Sequence, residues 1–483
     1  MKSLSAKQYE LNVGLEVHVE LQTASKMFCR CKTKFGDPPN TNVCPVCLGL
    51  PGALPVPNEE AIRLGVLAAL ALNCKVNLSG RFDRKNYFYP DLPKAYQVSQ
   101  LDEPLAVHGY LLLSDGKKIR IQRLHLEEDA GKSIHAGDDI TTAAYSLLDF
   151  NRSGVPLAEI VSDPDISSPE EAREYLEKLQ RTIRFAGVSD VKMEEGSMRV
   201  DCNVSVRKAG DARMGVPVEI KNLSSFRAVT RAVAYEHKRQ SKAAREGRRI
   251  VRETRHWDED KGITASLRTK ESAQDYRYFP DPDLPRLELT QEFVDRARAS
   301  MPKLPNQVAD FYVNELGLPT YDAEILTIDP GLVRFFDRCV ELGGESKAVS
   351  NWIMGDIMAY MNANGLSYDA IPVTPENLVA MLKLQEDGVI SGKIAKDVLV
   401  KMFETKRTPQ EIVEEEGLEQ VSDDASLGAI VDSVIQANPD AVAELRAGKE
   451  KIIGFLVGQV MKASKGKANP AKVNIIIREK VLQ

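Results

Sequence analysis

The sequence predicts an α+β protein: a β-rich domain built on an antiparallel sheet, then an all-helical domain, then a small helical tail domain. Three observations carry this. Leu11-Asn12-Val13-Gly14-Leu15-Glu16-Val17-His18-Val19-Glu20-Leu21 alternates apolar and polar without a break, the period of a strand with one face on a core. Near residue 294 the pattern turns helical, with punctuation at Pro302, Pro305, Pro319, Pro330 and Pro372. Beyond Thr405-Lys406-Arg407-Thr408-Pro409 charge segregates: residues 403–445 hold eleven acids against two bases, and 446–483 hold nine bases against two acids. At 483 residues the chain is too long for one ordinary core. The expected domains are 1–293, carrying a cysteine loop at 28–48, then 294–405 and 406–483.

On the first strand Leu11, Val13, Leu15, Val17, Val19 and Leu21 share the core face. Asn12, Gly14, Glu16, His18 and Glu20 share the other. Cys29-Arg30-Cys31 and Cys44-Pro45-Val46-Cys47 follow on a turn-rich loop. Four thiolates so spaced suit a closed tetrahedral zinc site that organises the loop rather than catalyses. In the strand from Lys118 to Leu126 the apolar parity switches between Ile121 and Leu124, which predicts a bulge near Gln122 or Arg123. Arg123, His125 and Glu127 then share its polar face, with Glu128 at the strand end. Ser168-Pro169-Glu170-Glu171 starts a helix. Met198 to Arg207 is a strand with Arg199, Asp201, Asn203 and Ser205 on its polar side, and Val216, Val218 and Ile220 leave Glu219 and Lys221 together. A helix from Ser225 to Arg249 ends in a basic run, either a solvated face or a contact for RNA phosphates. Further helices are expected over Ala348 to Asn362 and Pro375 to Glu386, and the basic tail presents Lys462, Lys465 and Lys467 on a loop. A basic face of this kind suits RNA.

The formal charge of -6 argues against a bulk electrostatic grip on nucleic acid. No apolar run approaches a membrane span and no signal peptide opens the chain, so a cytoplasmic protein with reduced thiols is expected. Gly131-Lys132-Ser133 looks like the end of a phosphate loop, but the glycine needed five positions earlier is Leu126. Any nucleotide must therefore be handled by polar groups of the strands. Glu16, His18, Glu127, Glu128, Asp201 and Glu219 would form one carboxylate-rich pocket, suited to Mg²⁺ and phosphoryl transfer, with Arg199 and Lys221 countering phosphate charge.

Several segments are specific enough to carry a resemblance. These are Gly14 to Leu21, Asn86-Tyr87-Phe88-Tyr89-Pro90-Asp91-Leu92-Pro93-Lys94, Leu124 to Lys132, Leu148 to Ile160, Glu219 to Leu223, Asp275 to Pro280, Asn351 to Gly355 and Ile390 to Ala395. Together they resemble the GatB/GatE family, whose bacterial members serve the tRNA-dependent amidotransferase GatCAB as its GatB component. The resemblance implies a kinase-like cradle domain, a helical domain and a tail domain. It implies ATP- and Mg²⁺-dependent phosphorylation of the side-chain carboxylate of Glu-tRNA(Gln) or Asp-tRNA(Asn), then amidation by ammonia from a glutamine-hydrolysing partner. The partners implied are the amidase component GatA, the small component GatC, the mischarged tRNA and, in a transient assembly, the aminoacyl-tRNA synthetase. Carried over by motif, Glu16, His18, Glu127, Glu128, Asp201 and Glu219 line the ATP site, with Glu16, His18, Glu128 and Glu219 on Mg²⁺. Lys94, Arg152, Arg199 and Lys221 contact the nucleotide, Cys29, Cys31, Cys44 and Cys47 hold zinc, and Lys462, Lys465 and Lys467 touch tRNA. Glu20 receives no role. One departure is Ala95, where the pattern has glycine.

Overall fold

In the computed structural model, residues 9–136, 143–269, 276–420, 424–464 and 467–482 are described. The chain divides into two compact units, Met1–Pro305 and Asn306–Gln483.

The first unit is organised by a nine-stranded sheet. In chain order its strands are β1 (Tyr9–Glu20), β2 (Lys75–Val76), β3 (Ala106–Leu112), β4 (Lys118–Glu128), β5 (Pro156–Ser162), β6 (Met198–Lys208), β7 (Val218–Leu223), β8 (Glu253–Asp258) and β9 (Ile263–Thr269). They lie in the order β9-β8-β7-β6-β1-β5-β4-β3-β2, which puts β1 at the centre. The expectation of an antiparallel sheet needs one correction, because β7 and β8 pair in parallel. Helix α3 (Phe226–Arg245) links them, and a strand–helix–strand crossover is the connection that parallel neighbours require. The bulge is where parity places it: against β5, Ile121 and Arg123 pair with consecutive residues, leaving Gln122 extra.

The five apolar side chains of the β1 core face, and Leu21 just beyond the strand, are at most 3 % exposed, each contributing about 1.5–3 kcal/mol of burial. They join a core with α1 (Glu59–Ala71), α2 (Pro169–Phe185) and α3. Asn58, Ser168 and Ser225 cap these three helices through their side chains. At Gly65 of α1 a Cβ would come within 2.8 Å of Leu105 and Leu126, so the absent side chain sets how closely α1 lies on the sheet. The basic end of α3 is largely paired within its own surroundings: Arg239 with Glu236 at 2.7 Å, and Arg248 with Glu246 at 2.6 Å.

The first unit extends past the expected boundary at 293. Helix α4 (Gln291–Ala299) sends Val294 and Ala297 into the sheet domain's core. The second unit is helical throughout its described residues and has two separate cores. One spans Val308 to Val413 and includes Ile412 and Val413 of the helix Pro409–Glu415, so the core changes after that helix rather than at 405. The other runs from Leu427 to Val481. The helix expected over 348–362 contains a π-helical turn at Ile353–Ile357, and Pro375–Glu386 is a helix as expected. Among the described residues no helix is long and apolar enough to cross a membrane.

Candidate active site

The polar face of β1 is flanked by β5 on one side and β6 on the other. In register, His18 lies opposite Glu159 of β5, and Glu159 lies opposite His125 of β4. His18 Nε2 is 3.3 Å from Glu127 and 3.3 Å from Glu159. His125 Nε2 reaches the same pair from below, at 3.2 Å from Glu159 and 3.7 Å from Glu127. Two imidazoles and two carboxylates thus alternate around a nearly dry ring, with His125, Glu127 and Glu159 each at most 8 % exposed. Burial alone would lower the His18 pKa, but the charge of Glu159 and the hydrogen bonds to Glu127 and Glu159 outweigh it, raising it to about 10. Burial would raise the Glu127 carboxyl, yet hydrogen bonds from His125 and His18 hold it well below the usual range.

On the other side of β1, Glu16 lies opposite Asp201, and Asn203 of the same strand lies opposite Glu219. Asn203 Nδ2 donates to Glu16 at 2.7 Å, Lys221 Nζ to Asp201 at 2.5 Å, and Thr254 Oγ1 to Glu219 at 2.7 Å. Lys221 also lies 3.5 Å from Glu219. Donor atoms of His18, Glu127 and Glu159 lie within 4.8 Å of one another, and so do those of Glu16, Asp201 and Glu219. The single pocket expected from parity is therefore two three-donor clusters on one face, one made by β1 with β4 and β5 and the other by β1 with β6 and β7. Both donor sets, mostly carboxylate oxygens, suit a hard divalent cation.

A family model described as the GatB/GatE catalytic domain matches residues 11–295, and one described as the GatB domain matches 334–481. The chain belongs to the GatB/GatE family. It is 54 % identical over 477 residues to the B subunit of the aspartyl/glutamyl-tRNA(Asn/Gln) amidotransferase of Thermoanaerobacter pseudethanolicus, covering 98 % of this chain and 99 % of that one. It is 53 % identical to the protein of the same name from Moorella thermoacetica, over 98 % and 100 %, and 50 % identical to that from Persephonella marina, over 98 % and 99 %.

Within this GatB/GatE scaffold not every expected residue joins the two clusters. Glu128 follows Glu127 on the strand and so faces away. It pairs with Lys94 and accepts a hydrogen bond from the Val98 N–H at 3.0 Å, and it stands in neither three-donor cluster. Arg199 and Arg152 converge on Asp129, at 2.8 and 3.4 Å, and Arg152 also donates to the Ala130 and Gly131 carbonyls. Burial and the nearby Asp129 push Glu20 up to about 7.

The Cys29, Cys31, Cys44 and Cys47 sulfurs also lie within 4.8 Å of one another. Cys44 and Cys47 Sγ are 3.9 Å apart, close to the ~3.8 Å separation that tetrahedral Zn–S bonds of about 2.3 Å impose. The Cys44 N–H donates to Cys47 Sγ, and Gly49 closes the turn with a φ of +66°. A Cβ at Gly49 would meet Lys94 at 2.5 Å, so this turn sits directly on the Lys94–Glu128 pair. Lys26, wholly buried, points its ammonium at Cys47 Sγ from 3.7 Å.

Of the tail lysines, Lys462 is exposed at the end of a helix, Lys467 donates to the Gly417 carbonyl, and Lys465 lies outside the described residues. Ala95 adopts φ +61°, the left-handed region that explains the glycine of the family pattern. Glu159, Asp129 and Thr254 are the site residues that sequence reasoning missed. Glu159 had a local signal: it is the one charged residue of β5, Pro-Leu-Ala-Glu-Ile-Val-Ser.

Proposed function

We propose that this chain is the carboxylate-activating component of a cytosolic tRNA-dependent amidotransferase, acting on Glu-tRNA(Gln), Asp-tRNA(Asn) or both. The observation that supports it best is the pair of three-donor clusters on one face of β1. Ammonia cannot displace oxide from a free carboxylate. The carboxylate oxygen first attacks the γ-phosphorus of ATP and ADP leaves; ammonia then attacks the acyl phosphate, and phosphate leaves with the bonding pair as a proton is lost from nitrogen. Glu16, Asp201 and Glu219 would hold one Mg²⁺, and His18, Glu127 and Glu159 a second. Mg²⁺ bound there supplies positive charge between two anions that must approach each other.

Lys221, beside Asp201 and Glu219, is placed to neutralise phosphate charge, and Arg199 and Arg152 can do so on leaving Asp129. His125 holds the Glu127 and Glu159 carboxylates from beneath. The cysteine loop fits structural zinc and braces the end of β4 through Lys94 and Glu128. We assign the supply of ammonia to a partner; Cys74, Cys202 and Cys339 are buried thiols, and burial pushes Cys74 and Cys339 up to about 12, which makes these three poor nucleophiles. The amidase component GatA and the small component GatC would fill that need, and the basic tail would contact tRNA. Glu16→Gln should abolish ATP cleavage stimulated by mischarged tRNA while leaving tRNA binding within twofold. Unchanged turnover would overturn the assignment.

A further inference from the structure

Glu20 ends β1 on the face that carries Glu16 and His18. Its side chain is half-buried and, among the described residues, makes neither a hydrogen bond nor an ion pair. The cations near it act on it only at a distance, since Arg199 lies on Asp129 at 2.8 Å and Arg152 divides itself between Asp129 and two backbone carbonyls. The acids of the two clusters all have partners: Glu16 has Asn203, Asp201 has Lys221, Glu219 has Thr254, and Glu127 and Glu159 share two histidines. Glu20 is thus a carboxyl group at the edge of the reacting face with no hydrogen-bonding partner of its own, and a half-enclosed carboxylate without a partner is costly unless a ligand supplies one.

The reading proposed above defines which cation can arrive. An amino acid esterified to the 3′ end of tRNA carries one carboxylate, the group to be phosphorylated, and one cation, its α-ammonium. Side chains two positions apart on a strand stand about 6.8 Å apart on the same face. In a glutamyl group the α-nitrogen lies roughly 4–5 Å from the side-chain carboxyl carbon. With the carboxylate held at the level of His18, the α-ammonium comes within hydrogen-bonding reach of Glu20.

We propose that Glu20 is the receptor for the α-ammonium of the aminoacyl ester, an inference that rests on the aminoacyl-tRNA reading. A carboxylate at this place distinguishes a free aminoacyl ester from peptidyl or N-acylated esters, which lack the cation. It also fixes the substrate at both ends, so that its side chain reaches the metal clusters in one orientation.

The test uses the assembled amidotransferase with glutamyl-tRNA and with glutaryl-tRNA, in which hydrogen replaces the α-ammonium. Tenfold to hundredfold weaker KM for the glutaryl ester is expected with the wild-type chain, the loss typical of a charge-assisted hydrogen bond. Glu20→Gln should raise the KM for glutamyl-tRNA by the same factor, leave that for glutaryl-tRNA unmoved, and spare the KM for ATP. Glu20→Asp should recover part of the loss. Equal wild-type KM values for the two esters, or an equal loss on both in Glu20→Gln, would overturn the inference, as would a rise confined to the KM for ammonium. Absence of tRNA-stimulated ATP cleavage in the wild-type complex would instead sink the underlying reading.

Discussion

Replacing Glu159 by glutamine separates the two things that the ring around His18 can be, a metal site or a proton-linked network. Glu159 lies 3.3 Å from His18 and 3.2 Å from His125, so the change leaves Glu127 as the one full carboxylate facing two imidazoles. Outer partners of a metal site are worth about 10–100-fold in affinity, and a carboxylate that ligates directly should exceed them. We expect Glu159→Gln to weaken Mn²⁺ binding at this cluster by at least ~100-fold, about 2.7 kcal/mol. The measurement is a Mn²⁺ titration followed by paramagnetic relaxation at pH 8, with Glu219→Gln in the sister cluster as the comparison and thermal unfolding as the check on folding. Two classes of site in the wild-type chain and selective loss of one in each variant would agree with the two-cluster geometry. Unchanged Mn²⁺ binding in Glu159→Gln, alongside loss in Glu219→Gln, would refute a metal at His18 and leave an imidazolium–carboxylate network in its place.

The remaining expectations concern stability and the cysteine loop. At Ala95, φ +61° costs an L-residue roughly 1–2 kcal/mol, and glycine returns about 0.5–1 kcal/mol of that as unfolded-state entropy. Ala95→Gly should therefore stabilise the first unit by about 0.5–1 kcal/mol, read as a rise of roughly 1–3 °C in its unfolding transition; a fall would contradict the left-handed backbone. Elemental analysis should find close to one zinc per chain, lost in Cys44→Ser together with a gain in proteolytic cleavage within residues 28–58. Zinc-free protein with the same protease resistance would show that the loop needs no staple.

Much of the face was legible because strand periodicity is local. The alternation from Leu11 to Leu21 assigns Glu16 and His18 to a common side before any partner strand is known. The same rule separates Glu127 from Glu128; grouping the two overlooked that neighbours on a strand point oppositely, and Glu128 is accordingly found with Lys94. Which strands lie beside β1 was not legible, because pairing joins residues more than a hundred positions apart. Without the register of β5, Glu159 is just a charge in an apolar segment, and without that of β6 and β7 nothing shows that the acids divide into two groups. The helical boundaries shifted for a related reason: α4 reads as the start of a helical domain, but its Val294 and Ala297 pack on the sheet domain's core.

The central place of β1 has a consequence for how the molecule is made. β1 is the first sheet strand synthesised, yet Glu16 pairs with Asp201, 185 positions later. At about 5–20 residues per second that interval lasts roughly 10–40 s. The partner of β1 on the other edge comes sooner, Glu16 pairing with Val161 145 positions later, so a strand with a wholly apolar face waits with both edges open for most of that time and with one edge open for the rest. Such non-local closure is slow and exposed to misassociation. The cluster of Glu16, Asp201 and Glu219 therefore cannot assemble in a nascent chain until β6 and β7 have emerged from the ribosome.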